Sequence, residues 1–167
     1  MNRPPLRCRR SWTAGTTAVE FALAGGAFVA LLLLTAEVGW QMAIDLALDY
    51  GARAASRFGV TGAATPPGIT PPPATRADAI AQLVISTTGG LLLTSRLTMS
   101  ETSYGAFSSI GNASAATPGP GTAGQVVQYT LSYAQPFITP LAAVVIGNPT
   151  LIHHATVVVL NEPFPSS

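Results

Sequence analysis

The stretch GTTAVEFALAGGAFVALLLLTAEVGWQMAIDLALDYGARAASRF, residues 15–58, decides the architecture. Residues 21–36 within it carry no charge. With the flanking Thr16–Val19 and Val38–Ala43, the segment comes close to the roughly 20 residues a helix needs to cross a bilayer. The helical pattern then continues past that length. Glu37, Gln41, Asp45, Asp49, Arg53 and Arg57 recur at spacing four and share one polar stripe. Ile44, Leu48 and Ala52, with Ala47, Ala54 and Ala55, supply an apolar side. No proline interrupts residues 13–65, and Gly59 and Gly62 are natural stops. One helix from about Thr16 to Phe58 would be about 64 Å long, roughly twice the hydrocarbon thickness of a bilayer. Its second half must therefore leave the membrane and pack on something.

The bulk composition agrees with one small domain plus an anchor. Only 9% of the 167 residues are charged, 48% are hydrophobic, and mean hydropathy is +0.40. All eight basic residues are arginine. Arg3, Arg7, Arg9 and Arg10 precede the apolar run, and without residues 1–15 four arginines face seven acids, a formal charge of −3. A basic leader beside an arginine-free span predicts a cytoplasmic N-terminus and an exported C-terminal part. The remainder has no basic face for nucleic acid. Cys8 is the sole cysteine, so no intrachain disulfide can form. It also precedes the apolar run, the wrong order for a lipoprotein signal.

Beyond the long helix, residues 61–74 (TGAATPPGITPPPA) read as a proline-rich linker. Thr75-Arg-Ala-Asp78 has the form of a capping box, and Ala77, Ile80, Ala81 and Val84 follow at helical spacing until Gly89-Gly90. Strands are expected at 96–107, around Val127–Tyr133 where apolar and polar residues alternate, and at 150–160, which is β-branched. Residues 108–124 read as a loop. The expectation is an α+β fold: a long transmembrane helix extending into a small exported domain with a short antiparallel sheet and one short helix. Its parts are a basic leader (1–15), the helix (16–60), the linker (61–74) and the exported domain (75–167).

Gly15-Thr-Thr-Ala-Val-Glu20-Phe21 has the arrangement of a prepilin processing site: a basic leader ending in glycine, a glutamate five residues on, and an apolar helix at once. An aromatic after that glutamate resembles the Tad/Flp pilus group. The pattern AVEFAL at 18–23, Glu37 in AEVG, ARAASRFG at 52–59 and VVVLNEPF at 157–164 is similar to the TadE-like family. Where such proteins often carry a proline within the span, this chain has Gly25-Gly26. The resemblance implies a minor pilin-like (pseudopilin) component of a Tad/Flp pilus assembly system, cut by a prepilin peptidase between Gly15 and Thr16. It implies an inner-membrane location, a periplasmic C-terminal domain, and other pilins or pilus assembly membrane proteins as partners. It implies no enzymatic activity and no cofactor. An uncleaved bitopic scaffold of the same machinery stays open as an alternative. So does an exported enzyme with a cleaved signal peptide, although Leu34 makes a poor −3 residue for cleavage near Ala36.

Physical chemistry gives these residues separate reasons. Cleavage after Gly15 would expose an ammonium on Thr16 at the bilayer edge, where an isolated charge costs several kcal/mol. Glu20 of a neighbouring subunit could neutralise it; the other reading is an interfacial acid on an uncleaved anchor. Ala18, Ala22, Gly26 and Ala30, at spacing four, would let two helices approach closely in lipid, or they are simply part of an alanine-rich span. Three further signals carry less. Gly119-Pro-Gly121-Thr-Ala-Gly124 matches a phosphate-binding pattern but precedes a strand, not a helix. His153 and His154 should point to opposite faces of a strand and so cannot share a metal ion. Asp45, Asp49, Arg53 and Arg57 read as a solvated face with an Asp49–Arg53 pair, or as a charged working surface.

Overall fold

The computed structural model describes residues 13–60, Gly68 and residues 72–163. The four leader arginines, Cys8 and most of the proline-rich stretch lie outside the described residues. The elements run α1 (Thr13–Val60), α2 (Arg76–Thr87), β1 (Leu97–Tyr104), β2 (Thr117–Pro118), β3 (Val126–Pro136), α3 (Pro140–Ile146) and β4 (Thr150–Leu160). The strands form one antiparallel sheet in the order β2-β1-β3-β4. The fold is α+β, with a long N-terminal apolar helix ahead of a small four-stranded sheet.

α1 is one helix of 48 residues, about 72 Å at the usual rise. Gly25-Gly26 does not break it, because each glycine costs only about 1 kcal/mol against alanine and the neighbours are good helix formers. Its C-terminal carbonyls are claimed from outside the helix. The Arg76 guanidinium donates to Gly59 O, and Glu162 N donates to Val60 O at 3.3 Å. α2 begins at Thr75, whose hydroxyl accepts from Asp78 N at 3.1 Å and donates to the Asp78 carboxylate at 2.8 Å. Such a cap is typically worth about 1 kcal/mol.

The strand periodicity places the core. Val127, Tyr129, Leu131, Tyr133 and Gln135 of β3 face inward, in register with Val159, Val157, Ala155, His153 and Leu151 of β4. Ile44, Leu48, Ala52 and Ala55 of α1 and Ile80 and Val84 of α2 close over that face, and all six are buried. Each buried Ile or Leu contributes on the order of 2 kcal/mol. Gly51 lets α2 lie close, since a Cβ there would stand 2.8 Å from Val84 Cγ1.

Two elements differ from the sequence reading. Part of the expected 108–124 loop is strand β2, with Thr117 and Pro118 opposite Ser103 and Thr102. Two residues are too few to display alternation. The second difference is α3, whose PLAAVVI run has no polar face to reveal a helical period. Thr139 caps its start by accepting from Ala142 N, and Gly147, at φ 75°, closes its end.

Candidate functional site

Gly15, Thr16, Val19 and Glu20 lie together in the first turns of α1 and line one shallow depression. All four are exposed. Nothing comes within 4 Å of where a Cβ at Gly15 would stand, so the fold itself makes no demand for glycine there. Glu20 is one helical turn beyond Thr16, about 6 Å along the axis. Ala18, Ala22 and Gly26 are exposed and Ala30 is half-exposed, in a row on one helix face. The apolar segment that contains them has an 18-residue window with 0% of its residues buried. By length and composition it can cross a membrane.

The polar stripe beyond the span divides in two. Its first part is a latch. The Glu37 carboxylate, 3% exposed, accepts from Ile138 N at 2.9 Å, Thr139 N at 2.9 Å, the Thr139 hydroxyl at 3.2 Å and Gln41 Nε2 at 3.0 Å. Gln41 Oε1 meets His153 Nε2 at 2.9 Å, and His153 Nδ1 meets Asp45 Oδ1 at 3.2 Å. Asp45, Gln41 and Glu37 thus fasten α1 to β4 and to the turn that begins α3. Asp45 keeps a solvated side chain while one of its oxygens meets the buried histidine of β4. The solvated-face reading holds for Asp49 and Arg53, which pair with each other at the surface. His153 was missed as a latch residue because its partners lie 108 and 112 positions away. The only local signal was a stripe whose polar residues change from Glu-Gln-Asp to Asp-Arg-Arg.

His154 lies on the opposite sheet face, 2.9 Å from the Ser132 hydroxyl. Among the described residues no three His, Cys, Asp or Glu side chains group as a metal site. Gly119, Gly121 and Gly124 occupy the turn between β2 and β3, all with positive φ. The buried Asn161 holds that turn by donating to Pro120 O at 3.0 Å and Thr122 O at 3.1 Å. Glu101 and Tyr129 are cross-strand partners near Arg76. Burial pushes the Glu101 carboxyl above the usual range against the opposing pull of Arg76, and burial likewise raises the Tyr129 phenol.

Exposed apolar helix, N-terminal glycine and glutamate, and packed extension are continuous in one element. Residues 15–57 match the family model for TadE-like protein. The TadE-like segment begins at the glycine ahead of the apolar run and covers α1 almost to its end. The match covers about a quarter of the chain, and β4 and the VVVLNEPF stretch lie outside the matched residues. No curated protein and no solved structure matches the chain.

Proposed function

We propose that the protein is a minor pilin-like, or pseudopilin, component of a Tad/Flp-type pilus assembly system. In this reading it is the substrate of a prepilin peptidase and not itself an enzyme. The carrying observation is the Gly15-to-Glu20 arrangement at the mouth of an exposed apolar helix within a TadE-like match. The glycine supports it further: the fold leaves open space around Gly15, so an outside agent that must approach the backbone closely accounts for a residue without a Cβ. The basic leader sets the N-terminus in the cytoplasm and the sheet on the periplasmic side of the inner membrane. Other pilins or pilus assembly membrane proteins meet the span through the row Ala18, Ala22, Gly26 and Ala30.

N-terminal sequencing of the mature protein tests processing. It should begin at Thr16, and Gly15→Leu should accumulate as an uncut, membrane-inserted precursor. A start at Met1 in the wild type selects the uncleaved scaffold instead, and a start after about residue 36 selects a signal peptide. Glu20→Val tests assembly. Valine suits lipid better than a carboxylate, so insertion and cleavage should persist. The Thr16 ammonium would then lose its partner on a neighbouring chain, a loss of about 3–5 kcal/mol in a low-dielectric site. Crosslinking to pilin partners in membranes should drop; wild-type yield from a cleaved Glu20→Val protein would refute charge pairing.

A further inference from the structure

The apolar surface of this protein does not end with the span. Ile138, Val144, Val145 and Ile146, on and beside α3, are all 60% exposed or more. From Pro136 to Ile152 the chain contains no Asp, Glu, Lys, Arg or His. Contiguous exposed apolar surface of this kind marks an interaction site.

The latch fixes where that surface lies along α1. Ile138 N and Thr139 N bond Glu37, so α3 starts at the level of Glu37. Val145 and Ile146 then line a groove of about 460 Å³ together with Leu34, Val38 and Met42 of α1. α3 therefore lies beside the Leu34–Asp45 stretch of α1, at the end of the span. The other end of the sheet is remote, because Glu162, just past β4, bonds Val60 at the top of α1. Glu20 is the last charge before the apolar run. Counting from Phe21, a hydrocarbon core of about 30 Å takes about 20 residues of helix, which ends near Trp40. Glu37 and α3 then fall inside the last turns of the hydrocarbon. A carboxylate at that depth is costly unless satisfied, and here backbone N–H groups of Ile138 and Thr139 and the Thr139 hydroxyl satisfy it.

We propose that α3 and its flanking turns form a membrane foot: a lipid-binding surface that seats Ile138, Val144, Val145 and Ile146 in the bilayer leaflet at the Glu37 end of the span. Its partner is the lipid itself. Amphipathic interfacial helices bury their apolar faces about 5–10 Å into this boundary, and Leu34, which shares the groove with Val145 and Ile146, lies about 9 Å inside the level of Trp40. The surface continues the apolar side of α1 through Val38 and Met42, both exposed. The proposal rests on reading α1 as a membrane span.

The test uses the full chain, with Cys8→Ser, reconstituted at low density in phosphatidylcholine vesicles. Nitroxide labels go on Val145→Cys and, separately, Ile138→Cys. References are Leu32→Cys in mid-span and Ser108→Cys in the far turn. Labels at 145 and 138 should collide with oxygen and lose access to a water-soluble nickel chelate, as at 32, while 108 stays open to the chelate. Chelate access at 145 and 138 equal to that at 108, with 32 still in lipid, overturns the foot and leaves the span intact. Chelate access at 32 overturns the span reading and the foot with it. Protection from both reagents that fades as the chain is diluted in lipid assigns the surface to a second copy and also overturns the proposal.

Discussion

Gly25 and Gly26 stand in the exposed half of α1 with nothing within 4 Å of where a Cβ would be. Gly51 and Gly59 stand in the packed half of the same helix, where a Cβ would meet Val84 at 2.8 Å and Tyr129 at 3.1 Å. The leucines divide in the same way: Leu31, Leu32 and Leu33 are exposed, and Leu48 is fully buried. One uninterrupted backbone thus carries two kinds of side-chain constraint. In residues 15–36 the side chains answer to whatever surrounds the protein. In residues 37–60 one face answers to the sheet and to α2, while Val38, Met42, Leu46 and Tyr50 stay exposed on the other.

Paired substitutions can break that division, and the core leucines offer the largest effect. Leu48→Ala should destabilise the sheet domain by about 2–5 kcal/mol, whereas Leu32→Ala should leave its unfolding unchanged. Urea unfolding of the full chain in detergent, followed by tryptophan fluorescence, measures both. Equal losses would mean that the two halves unfold as one unit. Glycines come next. Gly51→Val forces two methyl groups against Val84 and should cost about 1–3 kcal/mol by overpacking. Gly26→Ala meets nothing and should stabilise the helix by up to about 1 kcal/mol; a loss of domain stability from it would reveal a contact across the halves.

The smallest effect concerns acids. Burial raises the folded pKa of Glu101 above its unfolded value, so the folded state holds the proton more tightly. Its contribution to stability is therefore greatest in mild acid and declines as pH rises through the raised pKa. Glu101→Gln should flatten that decline and leave the variant more stable than wild type near neutrality. Glu20→Gln, in the exposed half, should give the domain the same urea midpoint as wild type. A wild-type midpoint that rises toward neutrality and loses the rise in Glu101→Gln would contradict the direction given for Glu101.

The sequence showed most plainly what depends on local period. α1, the Thr75 cap, and strands β1, β3 and β4 follow from spacing four, a capping box and alternation, and each appears in the structure near its expected bounds. The less legible features are those whose partners lie far along the chain. Glu37 looked like one member of a polar stripe, yet its partners Ile138 and Thr139 are 101 and 102 residues away. α3 is a short, wholly apolar helix whose place is set by that carboxylate; its period does not announce it, although Thr139-Pro140 and Gly147 are ordinary start and stop signals. At the N-terminal site the position is reversed. Gly15, Thr16 and Glu20 lie within six residues of one another and are exposed, so their spacing is readable from the chain alone.

The length of α1 has a mechanical consequence. A rod that enters the sheet without a loop has no joint between anchor and cargo. If the first half tilts, the domain leans by the same angle. If it rolls by one residue, about 100° of helix rotation, the sheet turns with it. Force applied to the domain runs along the rod's axis through a continuous ladder of backbone hydrogen bonds, and the first thing to slip would be the grip of the surroundings on the shaft.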